Sequence, residues 1–286
     1  GLKISYAYDQ LANTGRHVLR LMPAQFAEQR VISGRLDVDP AAQERIERVD
    51  FFGNAEVEVA YRVPHEKVVF EVQCRVDRQA RDPRPVSSPT LAAMDEAVAS
   101  YRGLDPMSPH HFLGLSPRIA PSQVITAYAA ALVKETTTAF EAMTALGAAL
   151  YRDIKYDVKA TTVDTSPEEA FVLRRGVCQD YSQIMIAGLR ALGVPAGYVS
   201  GFLRTIPPAG KPRLAGADQM HAWVRGWCGP EAGWVDFDPT NNLVVLDDHI
   251  VVAHGRDYAD VAPVKGVLRT AGSQASVQAV DVVPLG

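Results

Sequence analysis

The chain has 286 residues, 47% hydrophobic and 22% charged, with a formal net charge of −4 and a pI near 6.0. The length allows two domains of ordinary size, and the mildly acidic balance argues against nucleic acid as a partner. No apolar run reaches membrane-spanning length, so no membrane association is expected.

Residues 1–80 read as all-β. Leu2, Ile4, Tyr6 and Tyr8 alternate like a strand rather than forming a signal-peptide core, and Val57–Tyr61 and Val68–Val72 have period two. Between Val49 and Val59, Gly53-Asn54 supplies a tight-turn signal. This pattern predicts an N-terminal antiparallel β-sandwich. Glu44, Glu47, Asp50, Glu56 and Glu58 are expected on solvated strand faces and turns, and His17 and His65 as surface or packing residues.

Residues 81–121 form a proline-rich connector, opening with Asp82-Pro83-Arg84-Pro85 and holding one helix around residues 91–101. His110-His111 is adjacent rather than spaced i, i+4, which makes it a poor metal pair.

Residues 122–286 alternate between helix and strand. A helix is expected over residues 136–152, and Ser166-Pro167-Glu168-Glu169 has the cap, proline and acids of another helix start. A further helix over residues 176–192 ends at Gly193 and Pro195. A strand over 196–203, a loop over 207–216 and a hairpin over 221–238 follow.

The chemistry concentrates here. Cys178 stands at the start of the 176–192 helix, whose Tyr181, Met185, Leu189 and Leu192 form one apolar stripe. Burying that stripe fixes the helix axis and hence the cysteine. A helix N-terminus favours thiolate over thiol and offers free N–H groups to an oxyanion. The other cysteines, Cys74 and Cys228, complete no disulfide framework and no zinc spacing. A reducing, cytoplasmic setting follows, with no metal and no cofactor expected.

In the hairpin, His221-Ala222-Trp223 and Trp234-Val235-Asp236-Phe237-Asp238 flank the turn residues Gly229-Pro230-Glu231-Ala232-Gly233. If Cys228 faces Glu231, His221 lies directly opposite Asp238 and Asp236 opposite Trp223. Asp238 is therefore preferred over Asp236 as the carboxylate that orients the imidazole. Taken singly, a strand histidine is ordinary packing and an Asp before Pro is a turn starter. Together, Cys178, His221 and Asp238 make a nucleophile, a base and an orienting acid. Gln179 and Tyr156 are candidates for oxyanion or substrate contacts. Trp223, Trp227 and Trp234 are expected in the core, with an acyl groove as the alternative.

Arg175-Gly176-Val177-Cys178-Gln179-Asp180, Ala191-Leu192-Gly193-Val194-Pro195, His221-Ala222-Trp223 and Gly233-Trp234-Val235-Asp236-Phe237-Asp238-Pro239-Thr240-Asn241 resemble the bacterial transglutaminase-like family. His249-Ile250-Val251-Val252-Ala253 and Gly255–Val261 are similar too, as are Leu19-Arg20-Leu21 and Asp50–Asn54 for the family's N-terminal β-domain. The resemblance implies an α+β chain, an N-terminal antiparallel β-sandwich followed by a papain-like transglutaminase core, with the triad on Cys178, His221 and Asp238. It also implies that Asp257-Tyr258 helps close the site. Gly197 departs from it, standing where many relatives have Arg.

The expected activity is hydrolysis of a peptide, amide or isopeptide bond in a peptide or small amide substrate, through a Cys thioester. Transfer to an amine is the alternative, and a non-catalytic binding module on the same fold is another. The lone Asp247-Asp248 pair makes no calcium loop, and the chain ends too soon after the core for the extra β-domains of animal cross-linking enzymes.

Overall fold

The computed structural model describes residues 1–79, 87–205 and 218–285. The first half of the connector's proline run, Asp82-Pro83-Arg84-Pro85, the domain boundary near residue 80 and the loop expected over 207–216 lie outside the described residues.

The N-terminal strands are β1 (Leu2–Ala12), β2 (Thr14–Leu19), β3 (Gln29–Asp39), β4 (Glu44–Val49), β5 (Ala55–Tyr61) and β6 (His65–Arg78). Their alternation buries Leu2, Ile4 and Tyr8 of β1, Val68, Phe70 and Val72 of β6, and Val57, Val59 and Tyr61 of β5 in a shared core. This is the predicted antiparallel sandwich, with one amendment. Glu56 and Glu58 are buried rather than solvated. Arg20 and Arg48 pair with Glu56, and Arg16 and Arg48 pair with Glu58, so the carboxylates trade water for guanidinium partners. His17 is buried packing, edge-on to Tyr61 and Phe70.

After a 3₁₀ turn at Leu91–Ala93 the chain forms α1 (Met94–Ser100), then α2 (Gln123–Ala130), α3 (Ala139–Asp153), β7 (Lys155–Tyr156), α4 (Pro167–Leu173), β8 (Arg175–Gly176) and α5 (Cys178–Ala191). The helix start read at Ser166 forms at α4 as a capping box, Ser166 and Glu169 bonding reciprocally, and a second box, through Thr138 and Glu141, opens α3. Next come β9 (Ala196–Leu203), β10 (Gln219–Trp227), β11 (Trp234–Asp238), β12 (Leu243–Val244), β13 (His249–Gly255) and α6 (Tyr258–Val261). The core sheet runs β12-β11-β10-β9-β13, all antiparallel, and α5 packs across it with Ile184, Met185 and Leu189 fully buried. A sandwich followed by this helix-on-sheet core gives the α+β class expected.

The chain then returns to its beginning. Strands β14 (Val264–Arg269) and β15 (Gln274–Val280) join the sandwich, not the core: one sheet runs β15-β1-β6-β3 and the other β14-β2-β5-β4. The span 122–286 read from sequence as one core therefore ends in strands that cover the open edges of β1 and β2. They pair the N–H and C=O groups that β1 and β2 would otherwise leave open, and local pattern does not say where such a partner comes from.

Two buried amides tie the halves together. The Gln29 amide donates to the carbonyls of Ala24 and Val251 at 2.7 Å each and accepts from the Val251 N–H at 2.8 Å. Asn54 exchanges hydrogen bonds of 2.9 Å with the backbone of His254. Both anchor β13.

Candidate active site

The site begins at the tip of α5. Val177 is extended, Cys178 opens the helix, and the Val177 N–H donates to Asp180 Oδ2 at 2.7 Å. The same oxygen accepts from the Thr161 hydroxyl at 2.7 Å. Asp180 thus closes the turn that presents Cys178, and burial raises its pKa despite those bonds. Parallel pairing of β7 with β8 sets Tyr156 beside Gly176, next to the thiol.

His221 near the start of β10 lies close enough to the Cys178 side chain for that group to raise its pKa. Its Nε2 donates to Asp238 Oδ2 at 2.7 Å, which leaves Nδ1 as the ring nitrogen free for the sulfur. Burial pulls the His221 pKa down, but the hydrogen bonds and charges of Asp238 and Cys178 outweigh it and push the value up to about 10. Asp238 is wholly buried, which raises a carboxylate's pKa. Five donors reverse that and hold it well below its ordinary value. The N–H groups of Thr240 and Asn241 donate to Oδ1 at 2.9 and 3.2 Å, while Asn241 Nδ2, His221 Nε2 and His249 Nε2 converge on Oδ2. Asp238 both starts the turn, through the Thr240 and Asn241 N–H groups, and bonds the His221 imidazole.

The register that brings His221 and Asp238 together differs from the one expected. Val224 pairs with Phe237, Arg225 with Asp236 and Trp227 with Trp234. Cys228 accordingly bonds Gly233 rather than facing Glu231, through a 2.8 Å N–H···O contact. The physical reason is the loop. Gly229 (φ 105°) and Gly233 (φ 66°) both hold left-handed conformations, so four residues lie between the paired Cys228 and Gly233, more than a tight turn needs. The shift is by two residues, which preserves the face. His221 and Asp238 are therefore diagonal neighbours rather than directly opposed. Asp236, opposite Arg225 instead of Trp223, is bound to both: Arg225 Nε at 2.9 Å and Trp223 Nε1 at 3.1 Å. Those partners leave it no part in orienting the imidazole.

The remaining expectations divide. Gln179 sends its amide to the Val163 carbonyl at 3.1 Å, away from an oxyanion role. Tyr156 is 45% exposed, and its pKa is raised by burial of the hydroxyl and by the charge of Cys178 close by. Trp223 is fully buried beneath the His221 ring, centroids 6.2 Å apart, and Trp227 is core; neither lines a groove. Trp234 is half-buried, its indole N–H on the Met107 carbonyl. Cys228 is fully buried, its thiol pushed up to about 12. At Gly197 an added Cβ would lie 2.8 Å from the Gly255 carbonyl and from Phe112, so a longer side chain has no room there. Asp257 caps α6 and accepts from the Arg118 N–H at 2.7 Å.

Sequence reasoning passed over Asp180, Asn241 and His249 as members of the site. All lie within the quoted motifs, but nothing in their spacing predicts contact with the triad. Among the described residues, one group of His and acidic side chains has donor atoms close enough to share a cation: His221, Asp238 and His249, all within 4.8 Å. Hydrogen bonds of 2.7 and 3.0 Å already join them.

Residues 126–239 match the family described as the transglutaminase-like superfamily, and residues 2–77 match the bacterial transglutaminase-like N-terminal region. An uncharacterized protein of Mycobacterium tuberculosis is 32% identical over 286 residues, covering 99% of this chain and 91% of the relative. A protein-glutamine gamma-glutamyltransferase of Pseudomonas aeruginosa is 38% identical over 120 residues, which is 39% of this chain and 18% of that protein. In fold, the chain resembles the crystal structure of a "Putative Cysteine Protease" from Cytophaga hutchinsonii, with a TM-score of 0.73 and 22% identity over 99% of this chain and 92% of that one.

Proposed function

Because the chain belongs to the transglutaminase-like superfamily, which supports a general thiol-dependent activity, we propose that it hydrolyses an amide, peptide or isopeptide bond by a Cys178–His221–Asp238 triad. The observation that carries this reading is the His221 imidazole, bonded through Nε2 to Asp238 Oδ2 and near enough to Cys178 for that side chain to raise its pKa.

In the proposed reaction, His221 takes the Cys178 proton at Nδ1, giving a thiolate–imidazolium pair. The sulfur attacks the carbonyl carbon; a C–S bond forms and the carbonyl electron pair moves to oxygen. The Cys178 N–H, first in its helix and without an intrahelical acceptor, donates to that oxyanion. The Tyr156 hydroxyl is the second donor. The C–N bond then breaks as His221 returns its proton to the leaving nitrogen, which leaves a thioester. His221 next removes a proton from water, which adds to the thioester; the C–S bond breaks and the thiol regains its proton. Asp238 holds the ring with Nε2 protonated throughout.

The similarity to a gamma-glutamyltransferase favours a second reading, in which a primary amine replaces water in the last step. A library of peptides and γ-glutamyl amides, incubated with wild type and with Cys178→Ala, tests the mechanism. Cleavage is expected only with wild type, and cleavage that persists in Cys178→Ala refutes the triad. Adding a primary amine during turnover and seeking the new amide by mass spectrometry separates transfer from hydrolysis.

A further inference from the structure

Asp238 has a second imidazole. His249 opens β13, which is separated from β11 by two strands of the core sheet, yet its Nε2 lies 3.0 Å from Asp238 Oδ2. Three features close that distance. Register places His249, His221 and Asp238 on one face. Gly201, between them on β9, has no side chain; a Cβ there would sit 2.1 Å from the Ile250 carbonyl and 2.5 Å from the Trp223 ring. Trp223 therefore lies across Gly201 and packs edge-on to His249, centroids 5.1 Å apart.

The ring is committed to that one contact. His249 is 2% exposed, and its Nδ1 is buried with no hydrogen-bond partner among the described residues. An unpaired buried polar atom costs about 1–3 kcal/mol, so an apolar residue would fill this space at lower cost. Whatever its protonation state, Nε2 faces a carboxylate and must carry its proton. The bond also comes from an element other than the ones that hold His221 and the Asn241 turn. It fixes the carboxylate against rotation from a third direction.

Resting on the triad reading above, we propose that His249 is a positioning residue for the reaction: a second imidazole whose Nε2–H holds Asp238 in the orientation that aligns His221 with Cys178. The loss of that donor misaligns the His221 ring and slows the thiol.

The test uses iodoacetamide alkylation of Cys178 in the full chain near pH 6.5, with free cysteine as reference. His249→Gln can place an amide N–H where Nε2 stands, whereas the shorter His249→Asn cannot. Wild type is expected to react faster than free cysteine, His249→Asn roughly 10- to 100-fold more slowly than wild type, and His249→Gln to recover most of the loss. Equal losses in both variants, or no loss in His249→Asn, overturn the role of His249 while leaving the triad intact. A wild-type thiol no faster than free cysteine overturns the triad reading, and this role with it. Independently of any substitution, the imidazole ¹⁵N spectrum of the wild-type chain is expected to show His249 protonated at Nε2. A proton on Nδ1 alone overturns the proposal.

Discussion

At the scale of single residues, the site is defined by how its polar atoms are occupied. Asp236 and Asp238 alternate on one strand face, yet Asp236 is bound to Arg225 and Trp223 while Asp238 collects two imidazoles and the Asn241 turn. Asp238→Asn is expected to lower kcat roughly 10³-fold or more, because the amide disturbs the His221 tautomer. Asp236→Asn should cost much less activity; steady-state kinetics on a cleaved peptide amide compares the two. That Cys178, His221 and Asp238 come together was legible in the sequence, because each residue type has a known use in that order. The separate fates of the two acids were not, since both stood on the same face. His249 was also illegible: its contact depends on the absent side chain of Gly201 and the bulk of Trp223, neither of which leaves a periodic trace.

At the scale of elements, periodicity located helices and strands well but not their pairing. Tyr181, Met185 and Leu189 of the α5 stripe are buried as read, Leu192 caps the helix half-buried, and β9 spans the expected residues. The hairpin of β10 and β11 slipped by two residues because its loop uses left-handed glycines at both ends, a choice the residues Gly-Pro-Glu-Ala-Gly permit but do not dictate. Gly233 has open space around its Cα, so Gly233→Ala meets no clash and isolates the conformational penalty of φ 66°. It is expected to destabilise the chain by about 1–2 kcal/mol, measurable as a lower midpoint in urea. A larger drop in thiol reactivity than in stability would show that the hairpin register is transmitted to His221.

At the scale of the whole molecule, the sandwich and the core are joined through β13, the strand that carries His249. Gln29→Ala takes the acceptor from the Val251 N–H and the side-chain donor from the Ala24 carbonyl, while the Val251 carbonyl keeps its bond from the Ala24 N–H. A loss of about 1–3 kcal/mol is expected for each unsatisfied group, read by thermal unfolding, with Cys178 alkylation slowed in the variant as β13 loosens. Stability should also depend on pH in two opposed ways. Burial, with His65 near His17 and Arg225 near His254, lowers these histidines from 6.5 to about 4 and about 3. The unfolded chain binds these protons first, so stability is lost as the pH falls from about 6.5 towards those values. His221 runs the other way: its raised pKa contributes stability that is fully present below about 6.5 and is lost as the pH rises through about 10. Unfolding midpoints across pH should therefore fall on both flanks, and His254→Leu should flatten the acid flank alone.

The return of β14 and β15 to the sandwich has a consequence for how the chain is made. Strands β1 and β2 leave the ribosome well before their partners, and each must wait with a bare flank until Val264–Arg269 and Gln274–Val280 have been synthesised. The helix-on-sheet core is complete in sequence before its older neighbour can finish folding. During that interval the nascent sandwich offers two sticky edges to other chains. Synthesis halted just after α6 would release a protein with Cys178, His221 and Asp238 all present and those edges still bare, a product prone to cluster.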